Sequence, residues 1–386
     1  MKKRILCLCL ILISVLMMVS TKPILVNAEN QNFDAKAYIL VDYNSGEVLL
    51  NKNEEEHLEI ASMVKLMTSL LTLEKIDAGE LSLDQKLMVS EHAASQEGSQ
   101  AFLDANHEYT VEELLKSVII ASANDSSVVL AEAIGGSEEG FVNLMNAKAK
   151  ELGLENTLYA NATGLPSEST QYSCAKDVAK LLKEEIKHKL YFKYSNVWID
   201  EIIHASGRRT ELVNTNILIR KYNGVDIGKT GFTDEAGYCL SASCNKNNLR
   251  LISVVIGTKS TKDRFSITTN LLNYGFANFE NKCVLKQADN LDNISVKGAK
   301  QKEIEIEYSN DFYNLTKKGE KGEYKTKIEI NENLKAPLKQ GDVVGKVYVV
   351  KDGVVIGEVN IVSKNDVSKS TYKDSLNKVI DNFSIN

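Results

Sequence analysis

Ser62 and Lys65 stand three residues apart in a stretch, Ile60 to Lys75, that is strongly apolar: Met63, Val64, Leu66, Met67, Leu70, Leu71 and Leu73. On a helix that spacing sets both side chains on one face. A serine hydroxyl is a weak nucleophile and needs a base beside it. A lysine can be that base if burial or a neighbouring cation lowers its pKa. Ser173–Lys176, Ser243–Lys246 and Ser375–Lys378 share the spacing, and most such pairs are solvated. Only Ser62–Lys65 lies in a helix apolar on nearly every face, where a lysine has no easy route to water.

Two other segments offer complementary groups. Ser122-Ala123-Asn124 falls at the junction of two expected helices. There it reads as an N-cap, with Asp125 behind it, before the apolar run Ser126 to Ile134; equally, Ser122 can pass a proton and Asn124 can hold an amide. Lys229-Thr230-Gly231 occurs once, inside the strand-like Val225 to Thr233. A cation and a hydroxyl on a strand edge can bind a carboxylate, and glycine lets another backbone come close; a solvated turn is the plainer reading of these residues alone.

Taken together, the three motifs resemble the penicillin-recognising serine enzymes, which carry S-x-x-K, S-D-N and K-T-G signatures. The S-A-N variant is similar to that of the low-molecular-mass D-alanyl-D-alanine carboxypeptidases. So are ASMVKLMT (61–68), ASANDS (121–126), NATGLP (161–166), GVDIGKTGFTDEAGY (224–238) and LNYGF (272–276). The resemblance covers roughly residues 35–365. It implies Ser62 as nucleophile toward the penultimate D-Ala carbonyl, Lys65 as its base and Ser122 as proton relay to the leaving amine. Asn124 would contact substrate and order Lys65, and Lys229 and Thr230 would bind the terminal carboxylate beside Gly231. The backbone N–H groups of Ser62 and Phe232 would form the oxyanion hole. Arg264 matches a position near the carboxylate site. The partners implied are peptidoglycan stem peptides ending in D-Ala-D-Ala and, as covalent inhibitors, β-lactams. No cofactor or metal is implied. Two departures from the family pattern, Ile227-Gly228 before Lys229 and Cys174 after Ser173, touch none of the three motifs.

The elements that must position these residues follow from periodicity. Ala37 to Asp42 and Glu47 to Lys52 read as a hairpin across Asn44-Ser45-Gly46, and Val111–Ala121, Ser126–Ile134, Glu138–Leu152 and Ala175–Lys187 as helices. Tyr238–Cys244 and Leu249–Thr258 form a second hairpin around residues 245–248, before a helix over Asp263–Phe276. Strands, then helices, then strands and a last helix define a mixed α/β class. In it an antiparallel sheet flanked by helices joins both ends of the segment, the architecture of penicillin-binding-protein/β-lactamase-like domains. Short β-type runs at Ile294–Val296, Glu303–Tyr308, Lys325–Ile330, Val343–Val350 and Val354–Val362 add a small C-terminal β domain.

Lys2-Lys3-Arg4, the apolar Ile5–Val19 and Val26-Asn27-Ala28 make residues 1–28 a signal peptide with small residues before its cleavage point. The expected divisions are therefore 1–28, a catalytic domain over 29–280, a β-rich domain over 281–365 and a tail over 366–386. An exported, extracytoplasmic protein follows, at the cell wall or outer membrane face. Removing the leader's four basic residues takes the formal charge from −6 to −10, and an acidic chain without a basic run is a poor partner for nucleic acid. Tyr372, Leu376, Val379, Ile380 and Phe383 recur at helical spacing in the tail; with Lys and Asp balanced there, any membrane-surface contact is expected to be weak. Of the 6 cysteines, Cys174, Cys239, Cys244 and Cys283 survive cleavage, without C-x-x-C spacing; free, mostly buried thiols are expected.

The alternatives are a β-lactamase or an inactive wall-binding scaffold. The first needs a group to activate water, a glutamate in class A enzymes, and Glu211 is the available carboxylate, beside Asn214. A Ser-His-Asp hydrolase is disfavoured, because no G-x-S-x-G occurs and the 5 histidines form no motif.

Overall fold

A computed structural model of the chain describes residues 32–374. The leader over 1–28 lies outside the described residues, as do Leu376, Val379, Ile380 and Phe383 of the tail stripe. The chain divides into two compact units at Asn278/Phe279.

The first unit is built on a five-stranded antiparallel sheet. Its strands are β1 (Ala37–Asp42), β2 (Val48–Lys52), β7 (Val225–Thr233), β8 (Gly237–Lys246) and β9 (Leu249–Thr258), in the order β2-β1-β9-β8-β7. The two ends of the segment thus join in one sheet, as expected. Asn247 and Asn248 close the β8–β9 hairpin, both with positive φ (51° and 63°); a two-residue loop of this kind favours asparagine and matches the twist of the strands. Two short antiparallel pairs flank the helices: β3 (Lys86–Met88) with β4 (Glu108–Thr110), which the sequence reading did not place, and the hairpin of β5 (Ile199–Ile203) with β6 (Arg209–Val213), where strand character returns after Ser195.

The expected helix at Ile60–Lys75 is two elements: a 3-10 turn, Ala61–Val64, leading into α1, Lys65–Asp77. Helix α1 is buried from Lys65 to Leu73 on all faces. Its polar side chains find partners inside the protein: Thr72 donates to the Thr68 carbonyl (2.8 Å), Ser69 to the Lys65 carbonyl (2.8 Å) and Thr68 to the Ala162 carbonyl (2.7 Å), so little is left unpaired by burial. Around it pack α3 (Val111–Ala121), α4 (Asn124–Gly135), α5 (Glu138–Glu151) and α6 (Ala175–Glu185); α2 (Glu91–Ala94) lies against α4, α7 (Lys189–Ser195) against α3 and β7, α8 (Leu218–Lys221) against β7, and α9 (Thr261–Asn278) against β8 and β9. Helix α3 starts on a capping box between Thr110 and Glu113, and α5 on a Ser137 cap. Cys174, where the family pattern has threonine, caps α6 by accepting from the Asp177 N–H at 3.4 Å.

The second unit is a small β structure. Strands β11 (Ile306–Tyr308), β13 (Tyr324–Ile330), β14 (Val343–Lys351) and β15 (Val354–Ser363) form a sheet in the order β11-β15-β14-β13, and β10 (Phe279–Leu285) pairs with β12 (Phe312–Lys317). Asp352 and Gly353, at φ 51° and 87°, turn the β14–β15 hairpin. The expected strand at Ile294–Val296 is one isolated bridge, Ile294 to Ile304. Cys174, Cys239, Cys244 and Cys283 are free thiols, the first three buried.

Candidate active site

The nucleophile turn is held in an unusual backbone state. Ala61, immediately before Ser62, has φ 47°, a left-handed conformation that costs a non-glycine residue energy. Two glycines press on it. A Cβ at Gly231 would stand 2.7 Å from the Ile60 carbonyl oxygen and 3.2 Å from the Ser62 nitrogen; one at Gly164 would stand 2.0 Å from the Ala61 oxygen. Only residues without a side chain let the edge strand β7 and the 161–165 turn approach so closely.

At the start of α1, Lys65 is fully buried and donates to Ser62 Oγ (2.9 Å) and to the Thr163 carbonyl (2.6 Å). Burial drives its pKa well below the usual lysine value; Lys229 pushes the same way, and buried Asp125 opposes them. That shift favours the neutral amine, the form that can accept a proton from Ser62. The two other serine–lysine pairs among the described residues gain nothing comparable. Ser173 shares a bond with Thr157, Lys176 pairs with exposed Glu55, and Ser243 accepts from Arg250; Ser375–Lys378 lies outside the described residues.

The cap reading of Ser122 is wrong. Ser122 ends α3 in a left-handed conformation (φ 64°), and Ala123, which has no capping side chain, occupies the N-cap of α4; in its first turn Asp125 Oδ1 accepts from the Ser126 N–H at 2.8 Å. The left-handed residue places Ser122 Oγ where Lys229 Nζ donates to it at 2.7 Å. Lys229 also donates to its neighbour's carbonyl, that of Thr230, at 2.9 Å. It is nearly fully buried, and burial first, then the Arg264 charge, lower its pKa to about 7. Thr230 donates to Thr215 Oγ1 at 2.7 Å.

Asn124 sits differently from expectation. Its Nδ2 donates to the Glu97 carbonyl at 2.5 Å, while its Oδ1 is buried with no partner. Lys65 is ordered by Ser62 and Thr163 rather than by Asn124. Asn124 lines the cleft, and its buried Oδ1 is left without a donor. Arg264, on α9, donates to the Gly231 carbonyl at 3.0 Å from behind β7. Phe232 is half exposed at the cleft edge, its ring stacked on Tyr238 with centroids 4.2 Å apart.

Ser62, Ser122, Asn124, Thr230, Gly231, Phe232 and Arg264 line one cleft of about 350 Å³, above the buried Lys65 and Lys229. Sequence reasoning missed four further lining residues, Gly98, Ser99, Leu165 and Thr215. Leu165 lay inside a quoted motif; the other three lie in loops without periodicity. Among the described residues no carboxylate lines the cleft. Glu211 is exposed on β6 opposite Glu201, so it does not supply a water-activating group there. Position 228 must be glycine, since a Cβ would meet Asn216 Nδ2 at 2.5 Å and the Ser241 oxygen at 2.6 Å.

This arrangement is that of a serine acyl-transfer site, and its order in the chain matches one family. The D-alanyl-D-alanine carboxypeptidase family profile matches residues 24–260, and that of the penicillin-binding protein 5 C-terminal domain matches 279–369. The chain belongs to the D-alanyl-D-alanine carboxypeptidase family. It is 43% identical over 340 residues to D-alanyl-D-alanine carboxypeptidase DacF of Bacillus subtilis, covering 88% of this chain and 87% of that protein. Penicillin-binding protein 5 of Haemophilus influenzae superposes with a TM-score of 0.69 at 33% identity, over 88% of this chain and 99% of that one. Penicillin-binding protein D2 of Listeria monocytogenes, solved in its ampicillin-bound form, superposes at 0.55 with 31% identity, over 64% of this chain and 99% of that one. The mixed α/β fold with a C-terminal β domain and the serine-type carboxypeptidase class both stand.

Proposed function

We propose that this carboxypeptidase removes the terminal D-alanine from peptidoglycan pentapeptides through an ester on Ser62. The observation that carries the reading is the hydrogen bond between fully buried Lys65 and Ser62 Oγ. Ser62 Oγ attacks the carbonyl carbon of the penultimate D-Ala while Lys65 takes its proton. Ser122 delivers a proton to the amide nitrogen and is reloaded by the proton that Lys65 has taken, the C–N bond breaks and D-Ala leaves. Water then attacks the ester with Lys65 and Ser122 again handling protons, returning Ser62. Lys229 and Thr230 receive the terminal carboxylate, with Arg264 adding positive charge behind Gly231. The Ser62 and Phe232 N–H groups serve the developing oxyanion. Asn124 Oδ1 takes an amide donor of the peptide. β-Lactams enter the same site and acylate the same oxygen.

Ser62→Ala tests this. The variant is expected to fold, to lose labelling by penicillin and to release no D-Ala; mass mapping of a penicilloyl group to another residue would overturn the assignment.

Export through residues 1–28 places the enzyme at the wall, with 29–280 as catalytic domain and 281–365 as a β-rich domain. The tail is the candidate membrane contact. A chain ending at Ser368 is expected to keep activity and leave membranes more readily; equal partitioning would remove the tail from consideration.

A further inference from the structure

Lys65 has two hydrogen-bond partners, and one is a backbone carbonyl from 98 residues away, that of Thr163. That carbonyl sits in a turn organised by one side chain. Asn161 Oδ1 accepts from the Thr163 N–H (3.1 Å), the Thr163 hydroxyl (3.2 Å) and the Gly164 N–H (2.7 Å), and its Nδ2 donates to the Leu165 carbonyl (2.9 Å). An asparagine that bonds its own following backbone fixes a turn in one shape.

The same turn meets the active site at three further points. Thr68, one helical turn beyond Lys65, donates to the Ala162 carbonyl. Gly164, at φ 79°, lies against Ala61 and the Ser62 nitrogen. Leu165 lines the cleft. The base, the strained residue before the nucleophile and the cleft wall are therefore all referenced to the four bonds of Asn161. We propose that Asn161 is a positioning residue for acylation: it aims the Thr163 carbonyl at Lys65 and seats Gly164 beneath Ser62. This rests on the reading of Lys65 as the base for Ser62.

A carbonyl that accepts from Lys65 favours its protonated form. The other charged groups facing Lys65 are Lys229 and Asp125, and neither is touched by a change at Asn161. Loosening the turn should thus alter both the rate of acylation and the pH at which it fails. In Asn161→Ala the second-order rate of acylation by a chromogenic penicillin is expected to fall between about ten- and a hundredfold. Its acid half-point is expected to move to lower pH as Lys65 loses the carbonyl. In Asn161→Asp the three accepted bonds persist and a negative charge enters the turn, so the acid half-point is expected to move to higher pH. These opposite shifts are the signature. A purely structural role would lower the fraction of protein that can be labelled, leave the half-point unchanged in both variants, and so overturn the proposal. If Asn161→Ala does not fold, Asn161→Asp decides alone: an unmoved half-point with wild-type rate overturns it. Penicillin labelling of Ser62→Ala would instead sink the underlying reading, so the two failures are distinguishable.

Discussion

Lys229 and Ser122 are 107 residues apart in the chain and 2.7 Å apart in space, with Lys229 Nζ donating to Ser122 Oγ. The contact occupies one lone pair of the serine and leaves its own O–H free to turn toward a leaving nitrogen. It also sets a cation within reach of Lys65, where it disfavours a proton on the base. On the proposed mechanism one lysine thereby serves two ends, receiving the carboxylate and favouring the neutral form of the other lysine.

That dual role predicts the pH profile. With Lys229 titrating at about 7, carboxylate capture weakens as pH rises through that value, while the acid limb belongs to Lys65, which must be neutral to act. In kcat/KM for a D-Ala-D-Ala peptide, both limbs report the free enzyme. Lys229→Met is expected to lower kcat/KM by roughly a hundredfold or more, to lose the alkaline limb and to move the acid limb to higher pH. Persistence of the alkaline limb would assign it to another group. Stability should move the other way. From about 7 up to the ordinary lysine value, Lys229 holds a proton in the unfolded chain that it lacks in the folded one. Its contribution to stability therefore climbs with pH across that window. Lys229→Met is expected to climb less and to be more stable at neutral pH, by on the order of 1 kcal/mol or more, as read by denaturant unfolding.

Gly231 carries a second prediction. A methyl group there would stand 2.7 Å from the Ile60 oxygen and 3.2 Å from the Ser62 nitrogen, so either β7 or the nucleophile turn must shift. Gly231→Ala is expected to fold, since β7 is an edge strand, and to lose about a hundredfold in acylation rate. A wild-type acylation rate would show that the turn yields without consequence.

What the sequence made legible divides by mechanism. Ser62–Lys65 stood out because a lysine in an apolar helix needs an explanation, and the structure supplies it. The β8–β9 hairpin was legible from two apolar runs on either side of the asparagine-rich residues 245–248, and α3 from its apolar periodicity; the capping box that starts α3 was not read. Ser122 was ambiguous because serine before an apolar helix has two uses, and only its left-handed backbone separates them. The Thr163 carbonyl was invisible: any residue carries one, and its partner lies 98 positions away. Strands β10 and β12 went unread because FENKCVL and FYNLTK, mostly half-exposed, lack a clean apolar alternation.

The fate of the penicilloyl enzyme follows from what the cleft contains. Acylation and deacylation each need a proton acceptor, and Lys65 with Ser122 are the groups placed to serve both steps. After attack on a peptide, D-Ala leaves and water can occupy its place beside Ser122. After attack on a penicillin the leaving nitrogen stays tethered to the adduct and holds that place against water. A second acceptor on another side would rescue deacylation, as the glutamate of class A β-lactamases does. Among the described residues no carboxylate lines this cleft, and Glu211 lies exposed across from Glu201 on the β5–β6 hairpin. The expected outcome is a long-lived penicilloyl adduct on a protein that turns over D-Ala-D-Ala peptide. Mass spectrometry of adduct loss and D-Ala release, followed on one preparation, decides it. Rapid adduct loss with many penicillins consumed per protein and no D-Ala released would make this chain a β-lactamase built on a carboxypeptidase fold.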